Sequence, residues 1–309
     1  MQKAGRFLFM LLTLIVAGCD PEAQDNGGYT GTEMKKPSMT KQDHNGEGQL
    51  SSTPVLPAEV DPDQLKGIFG FADETGSRII VAGEEEGQQE QLAQITHAIG
   101  ENGVVLPVTY DTWQRGDGAG SGRDTSYNFA HLSGDIFTVT EGTAQPNATY
   151  YLFQPQDIPL DSLLNVVTDG RSVMDEPLRE KLESEKDRTI RQLWSLVEVG
   201  SDAKLYLALF QPDGKNQLFS FVLVRDHGVV VLDYPAVAED TNSVWRVDDQ
   251  GEVTPEMFSF LFAAQTTGKG ILIGLEWYGA EGINVLFLHG EKDRLIELET
   301  RYGRYTAPL

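Results

Sequence analysis

Gly116-Asp117-Gly118-Ala119-Gly120-Ser121-Gly122-Arg123 is the segment whose composition could cradle a phosphate, because backbone N–H groups in a glycine-rich turn can converge on an anion. That chemistry also needs a Lys-Ser/Thr ending and a place between a strand and a helix, and the run has neither. The expectation is a mobile hairpin loop. Val247 to Val253, followed by Glu256, resembles the end of a calcium loop. With Gly251 as sixth residue, however, Arg246 would be the first ligand, Gln250 the fifth and Met257 the twelfth, where a bidentate Glu is required. An acidic turn leading to a helix cap at Thr254 accounts for it better. The five histidines, His44, His97, His131, His227 and His289, show no His-Glu-x-x-His spacing. A site joining His227, His289 and Asp293 would still want further convergent ligands. A nucleophile elbow of the form Gly-x-Ser-x-Gly is absent from the sequence. No cofactor and no metal are expected, and a non-enzymatic role is favoured. Trp113, Trp245, Trp277 and Tyr278 are the remaining candidates for ligand binding, since aromatic rings can stack on sugars or grip a peptide. The same residues could equally be core, and Trp277 on an alternating strand reads as half-buried.

Charge narrows the partners. Of the 309 residues 24 are Lys or Arg and 47 are Asp or Glu, giving a formal charge of −23. Such a surface repels phosphate backbones and anionic headgroups, so nucleic acid is not an expected partner. Cys19 is the only cysteine, which leaves the folded part without disulfides or thiol chemistry.

The segment that ends at Cys19 places the protein. Lys3 and Arg6 precede an apolar run from Phe7 to Val16, which closes on Val16-Ala17-Gly18-Cys19. A spanning helix needs about 20 apolar residues, more than this run offers. The order resembles the lipobox of bacterial lipoproteins. The resemblance covers residues 1–19 and implies a signal peptide over residues 1–18, cleavage before Cys19, and acylation of its sulfur and new amino group, palmitate included. Several acyl chains give the stable anchoring that one alone does not. The expected location is extracytoplasmic, on the outer face of the bacterial cytoplasmic membrane, and Asp20 resembles a signal for retention there in a two-membrane cell.

The elements that must position any site follow. Residues 19–64 are poor in apolar residues and follow no helix or strand period, so a disordered tether is expected, with a span of roughly 35–40 Å if it behaves as a flexible coil. Residues 65–155 read as a small mixed segment with a β-α-β pattern. A strand at Arg78–Val81 is followed by an acidic helix start at Glu84, with Leu92, Ile95 and Ile99 on one face, and by a strand at Val104–Tyr110. Strands at Asp135–Thr140 and Thr149–Phe153 complete the sheet. Residues 156–309 read as a second domain. Helices are expected at Pro177–Val199 and from Thr254 to Thr267, each followed by three strands joined by turns such as Pro212-Asp213-Gly214. Leu205, Leu209, Phe221 and Leu232 precede Ile271, Leu275, Phe287 and Leu298 by 66 residues, a pattern that suggests duplication. The expected fold is therefore α+β, a mixed β-α-β segment followed by a tandem α-β-β-β antiparallel unit. The expected role is a non-catalytic binding or accessory module at the cell envelope, with an envelope protein or glycan as partner. The alternatives are a solute-binding lipoprotein of a transporter and an envelope-polymer hydrolase.

Overall fold

Apolar runs buried on two faces dominate the chain, and they make it mostly β. The structure is a computed structural model that describes residues 58–83, 86, 89–237, 253–279 and 281–307. The last residues of the expected tether, 58–64, belong to the folded body, where Val60 is fully buried and pairs with Thr266; Cys19, tether residues 20–57, Trp245 and the acidic segment 247–252 lie outside the described residues. No helix among them is long and apolar enough to cross a membrane.

Strands β1 (Phe69–Ala72), β2 (Arg78–Ala82), β3 (His97–Ile99), β4 (Val105–Gln114), β5 (Gly134–Val139) and β6 (Thr149–Phe153) close into an antiparallel barrel of order β1-β2-β5-β4-β3-β6. The β-α-β expectation fails here. The helix shrinks to α1 (Gln89–Leu92), and His97–Ile99 becomes a strand between β4 and β6. Alternation explains why β6 is buried throughout. Tyr150 and Leu152 enter the barrel core with Ile79, Leu106 and Phe137, whereas Tyr151 and Phe153 face outward against the rest of the protein.

The remaining strands form a sandwich. One sheet has the order β12-β11-β10-β9-β8, from β8 (Val166–Ser172), β9 (Ile190–Val199), β10 (Ala203–Phe210), β11 (Asn216–Arg225) and β12 (Gly228–Val237). The other has the order β16-β15-β14-β13-β7, from β7 (Leu163–Leu164), β13 (Phe258–Thr266), β14 (Gly270–Tyr278), β15 (Gly282–Gly290) and β16 (Leu295–Tyr305). Between them lies the largest core, with Leu205, Leu207, Phe219 and Phe221 from the first sheet and Ile271, Ile273, Leu275 and Leu288 from the second. The helix α2 (Glu176–Lys186) covers the outer face of the first sheet through Leu178 and Leu182. The barrel covers the outer face of the second: Phe262 and Phe287 pack with Phe69, Tyr151 and Phe153 in one continuous cluster.

The expected α+β class is thus corrected to a mostly β fold: of the two long helices expected, the first keeps only α2 and continues as a strand, and the second becomes a strand. The stripe at 177–199 breaks where Asp187 takes a left-handed backbone at φ 48° and caps α2, after which Ile190–Val199 pairs with β10. A bulge at Leu196 leaves Leu196 and Val197 both buried, which imitates helical spacing. After Thr254, Pro255–Met257 forms a single 3₁₀ turn and Phe258–Thr266 runs on as β13. That strand is apolar all round because the sandwich core takes Phe258, Phe260 and Ala263 while the barrel interface takes Leu261, Phe262 and Ala264. A short apolar run of this kind has no period that separates helix from strand. The 66-residue repeat also shifts face. Leu205 and Ile271 both enter the sandwich core, but Phe221 enters it while Phe287 faces the barrel. The registers account for this: Leu205 pairs with Leu223, whereas Ile271 pairs with Gly290, one residue further along.

His289 on β15 ties two strands and sets a pH dependence. Its Nε2 lies 3.0 Å from Thr266 Oγ1, and burial lowers its pKa from the ordinary value of 6.5. A depressed histidine contributes stability that is complete above pH 6.5 and is lost as pH falls through the lowered value. The wild-type denaturant midpoint should therefore fall between pH 7.5 and 5.5, and by less in His289→Asn. Equal acid sensitivity of the two proteins would show that His289 is not the group responsible.

Candidate functional site

The edge strands β12 and β16 meet at one end of the sandwich, and alternation along each brings Tyr234 and Glu297 together across 63 residues. The Tyr234 hydroxyl donates to Glu297 Oε2 at 2.6 Å, and Arg301 Nη2 lies 3.0 Å from Glu297 Oε1. Burial, with Glu297 second, pushes the Tyr234 hydroxyl far above the usual tyrosine range, so it stays a neutral donor. Trp277 on β14 meets Tyr234 edge to face, with centroids 5.8 Å apart, and packs likewise on Phe219 at 5.5 Å. Trp277 is 7% exposed. These residues floor a cleft of about 580 Å³, whose rim is Asn284, Glu297, Arg301 and Gly303.

A second cleft, of about 620 Å³, lies on the other side of Tyr302 and Gly303. The glycine-rich run forms it, lined by Gly116, Gly118, Gly120 and Gly122 with Asp124 and His131. Side chains hold this loop in place. Asn128 Oδ1 accepts from the Ser121 N–H, Asn128 Nδ2 donates to Ser121 Oγ and the Arg123 carbonyl, and Ser133 Oγ accepts from the Gly116 N–H. His131 Nδ1 sits 2.9 Å from Asp117 Oδ1. A third depression, of about 350 Å³, has Asp124, Glu281, Asn284 and Gly303 in its wall. All three have Gly303 in their lining, so they adjoin at this residue of β16, and the three together are termed the trough.

Of the aromatic candidates among the described residues, only Trp277 lines this trough. Trp113 is half-buried on β4, opposite Asp135 of the barrel. Tyr278 follows Trp277 and so points to the opposite face, where its hydroxyl donates to Glu276 Oε2 at 2.9 Å. Tyr234, Glu297, Arg301 and Gly303 escape sequence reasoning, because nothing in their local pattern marks them as neighbours. His227 and His289 do not converge, and among the described residues no group of three or more His, Cys, Asp or Glu is placed to hold a metal ion. Comparison of the chain with protein-family models, with curated proteins and with solved structures gives no match in any of the three.

Proposed function

We propose that this protein is a lipid-anchored binding module of the bacterial cell envelope, and that its ligand seats in the trough around Gly303 of β16. The observation that carries this reading is the state of Glu297. Among the described residues it is the one carboxylate that lines the aromatic cleft, and both its oxygens are engaged, one by Tyr234 and the other by Arg301. A carboxylate held by two partners in this way is a fixed element of a recognition surface. Fixed polar groups around an apolar floor are the usual make-up of a ligand site. The lipobox-like segment ending at Cys19 supplies the location.

The test uses the intact cell. A photoreactive amino acid at Asn284, in the exposed rim of the cleft, should give a discrete crosslinked adduct on illumination, and the same group at Lys181 on α2 should not. Identical patterns from the two positions, or no adduct from Asn284, would remove the trough as the binding site. Cys19→Ala should leave the chain unprocessed or shed, without attached lipid. Recovery of that variant in the membrane fraction, processed and resistant to carbonate extraction, would count against the anchor.

A further inference from the structure

The open edge of β16 points to a particular kind of ligand. Strand β16 is the last of its sheet, and its hydrogen-bonding directions can be read from one residue. The Tyr305 carbonyl accepts from the Asp124 N–H at 2.8 Å, and the Tyr305 N–H donates to Asp124 Oδ2 at 3.1 Å. Both groups of Tyr305 therefore face away from β15. Residues of a strand alternate in this respect, so Tyr302 and Arg304 pair with Val285 and Ile283, whereas Gly303 and Arg301 turn their N–H and C=O outward. Among the described residues no backbone group is bonded to those outward positions. The edge is closed at one end by Asp124, which already occupies the place of an added residue. At the other end the register jumps between Leu286 and Leu288, where a bulge interrupts the ladder. Natural edges are usually guarded along their length. Here the guards stand on either side of a short gap, and the gap is the floor of the trough.

Gly303 supports the same conclusion independently. Its φ lies outside the left-handed region, and a Cβ built there would meet only Asn284 Oδ1, at 3.6 Å. Neither backbone nor packing demands glycine, yet any larger side chain would stand in the trough where its three depressions join. Charge indicates the sign of the occupant. Arg301 is matched by Glu297, and in the wall of the third depression the carboxylates of Asp124 and Glu281 stand against one cation, Arg304, which is 2% exposed and directs its guanidinium to the Asp124 carbonyl, in a chain whose formal charge is −23.

We infer that β16 receives an extended, basic peptide segment of a partner protein, which adds as a strand at Arg301–Gly303 and places one side chain against Trp277 and Tyr234. Main-chain bonds would supply affinity and the aromatic cleft specificity, as in strand addition generally. This rests on the trough being the binding site. A neutral saccharide could use the aromatic floor and hydrogen-bond single N–H or C=O groups through its hydroxyls, but it carries no positive charge for Asp124 and Glu281 and does not repeat the spacing of a strand.

The experiment titrates the detergent-solubilised full chain with the blocked pentapeptide acetyl-Lys-Val-Tyr-Val-Lys-amide. Parallel titrations use the same peptide with N-methylated backbone amides, its counterpart with Glu in place of both Lys, and chitotetraose. Binding of the basic peptide should shift the amide resonances of Arg301 and Gly303, and N-methylation or the acidic ends should each weaken it by about tenfold or more, the loss expected for one or two bonds in a desolvated edge. Gly303→Trp should weaken it similarly and Gly303→Ala less, both with unchanged thermal midpoints. Equal binding of the N-methylated peptide, or no binding of the basic one, would overturn strand addition. So would chitotetraose shifting these resonances while the peptide leaves them unmoved. Crosslinking from Asn284 that persists after such a failure would leave the binding reading standing and remove only the peptide.

Discussion

Arg304→Ala should lower the stability of the folded body by about 3 kcal/mol or more, a shift of roughly 6–12 °C in the thermal midpoint for a chain of this size. Arg304 is 2% exposed on β16 and carries a cationic fork into the junction between sandwich and barrel. Its Nη1 donates to the Asn147 carbonyl at 2.8 Å and Thr149 Oγ1 at 3.0 Å. Its Nη2 donates to the Asp124 carbonyl at 2.7 Å and Asn147 Oδ1 at 2.9 Å, and its guanidinium lies 4.2 Å from the centre of the Phe71 ring. Desolvation, the largest influence, lowers its pKa, yet an arginine remains charged at any working pH. Removing it leaves several part-buried acceptors with no donor, each at a cost of about 1–3 kcal/mol unless water enters. Lysine should not rescue, because a single ammonium cannot reach acceptors arranged around a planar fork. Denaturant titration of wild type, Arg304→Ala and Arg304→Lys checks this. A midpoint within error of wild type in the alanine variant would mean that the junction does not depend on the fork.

Hairpin strands were the legible part of this fold. Pro212-Asp213-Gly214 turns β10 into β11 with Gly214 at φ 60°, and Asp226-His227-Gly228 turns β11 into β12, so local turn chemistry and flanking apolar residues suffice there. The helices expected at 177–199 and 254–267 give way to strands at 190–199 and 258–266 because burial on two faces and a bulge remove the period that tells strand from helix. The barrel was illegible for another reason. Its closure depends on β6 pairing with both β1 and β3, contacts that no local window contains. The site divides in the same way. Trp277 was singled out by its type, but Tyr234 and Glu297 become neighbours only once two sheets stack, and Gly303 matters only because β16 is an edge. The glycine-rich run shows the converse, since its composition indicated a loop while the side chains that hold it, Asn128 and Ser133, lie downstream of it.

A fragment beginning at Asp175 should fail to fold as a compact body, since of the ten sandwich strands it keeps eight and lacks β7 and β8. Such a fragment loses both of those strands, and with them the pairings to β13 and β9. The larger loss is the barrel. Leu261, Phe262, Leu272, Val285 and Phe287 are each at most 1% exposed and form the sheet's half of a cluster whose other half is Phe69, Ile99, Tyr151 and Phe153. Exposing five large apolar side chains at about 2 kcal/mol each costs about 10 kcal/mol, as much as the whole stability of a typical domain. The hydrophobic face left bare would also exceed what a soluble monomer carries. Starting at Asn165 or Val166 would restore β8 and leave that face uncovered, so it should not help. Residues 58–309 should unfold in one cooperative transition, whereas the fragment from Asp175 should bind a hydrophobic dye, show poorly dispersed amide resonances or aggregate. Dispersed resonances and a cooperative transition in the short fragment would establish that the sandwich stands alone, and that the Phe262–Phe287 face tolerates water or pairs with a second copy.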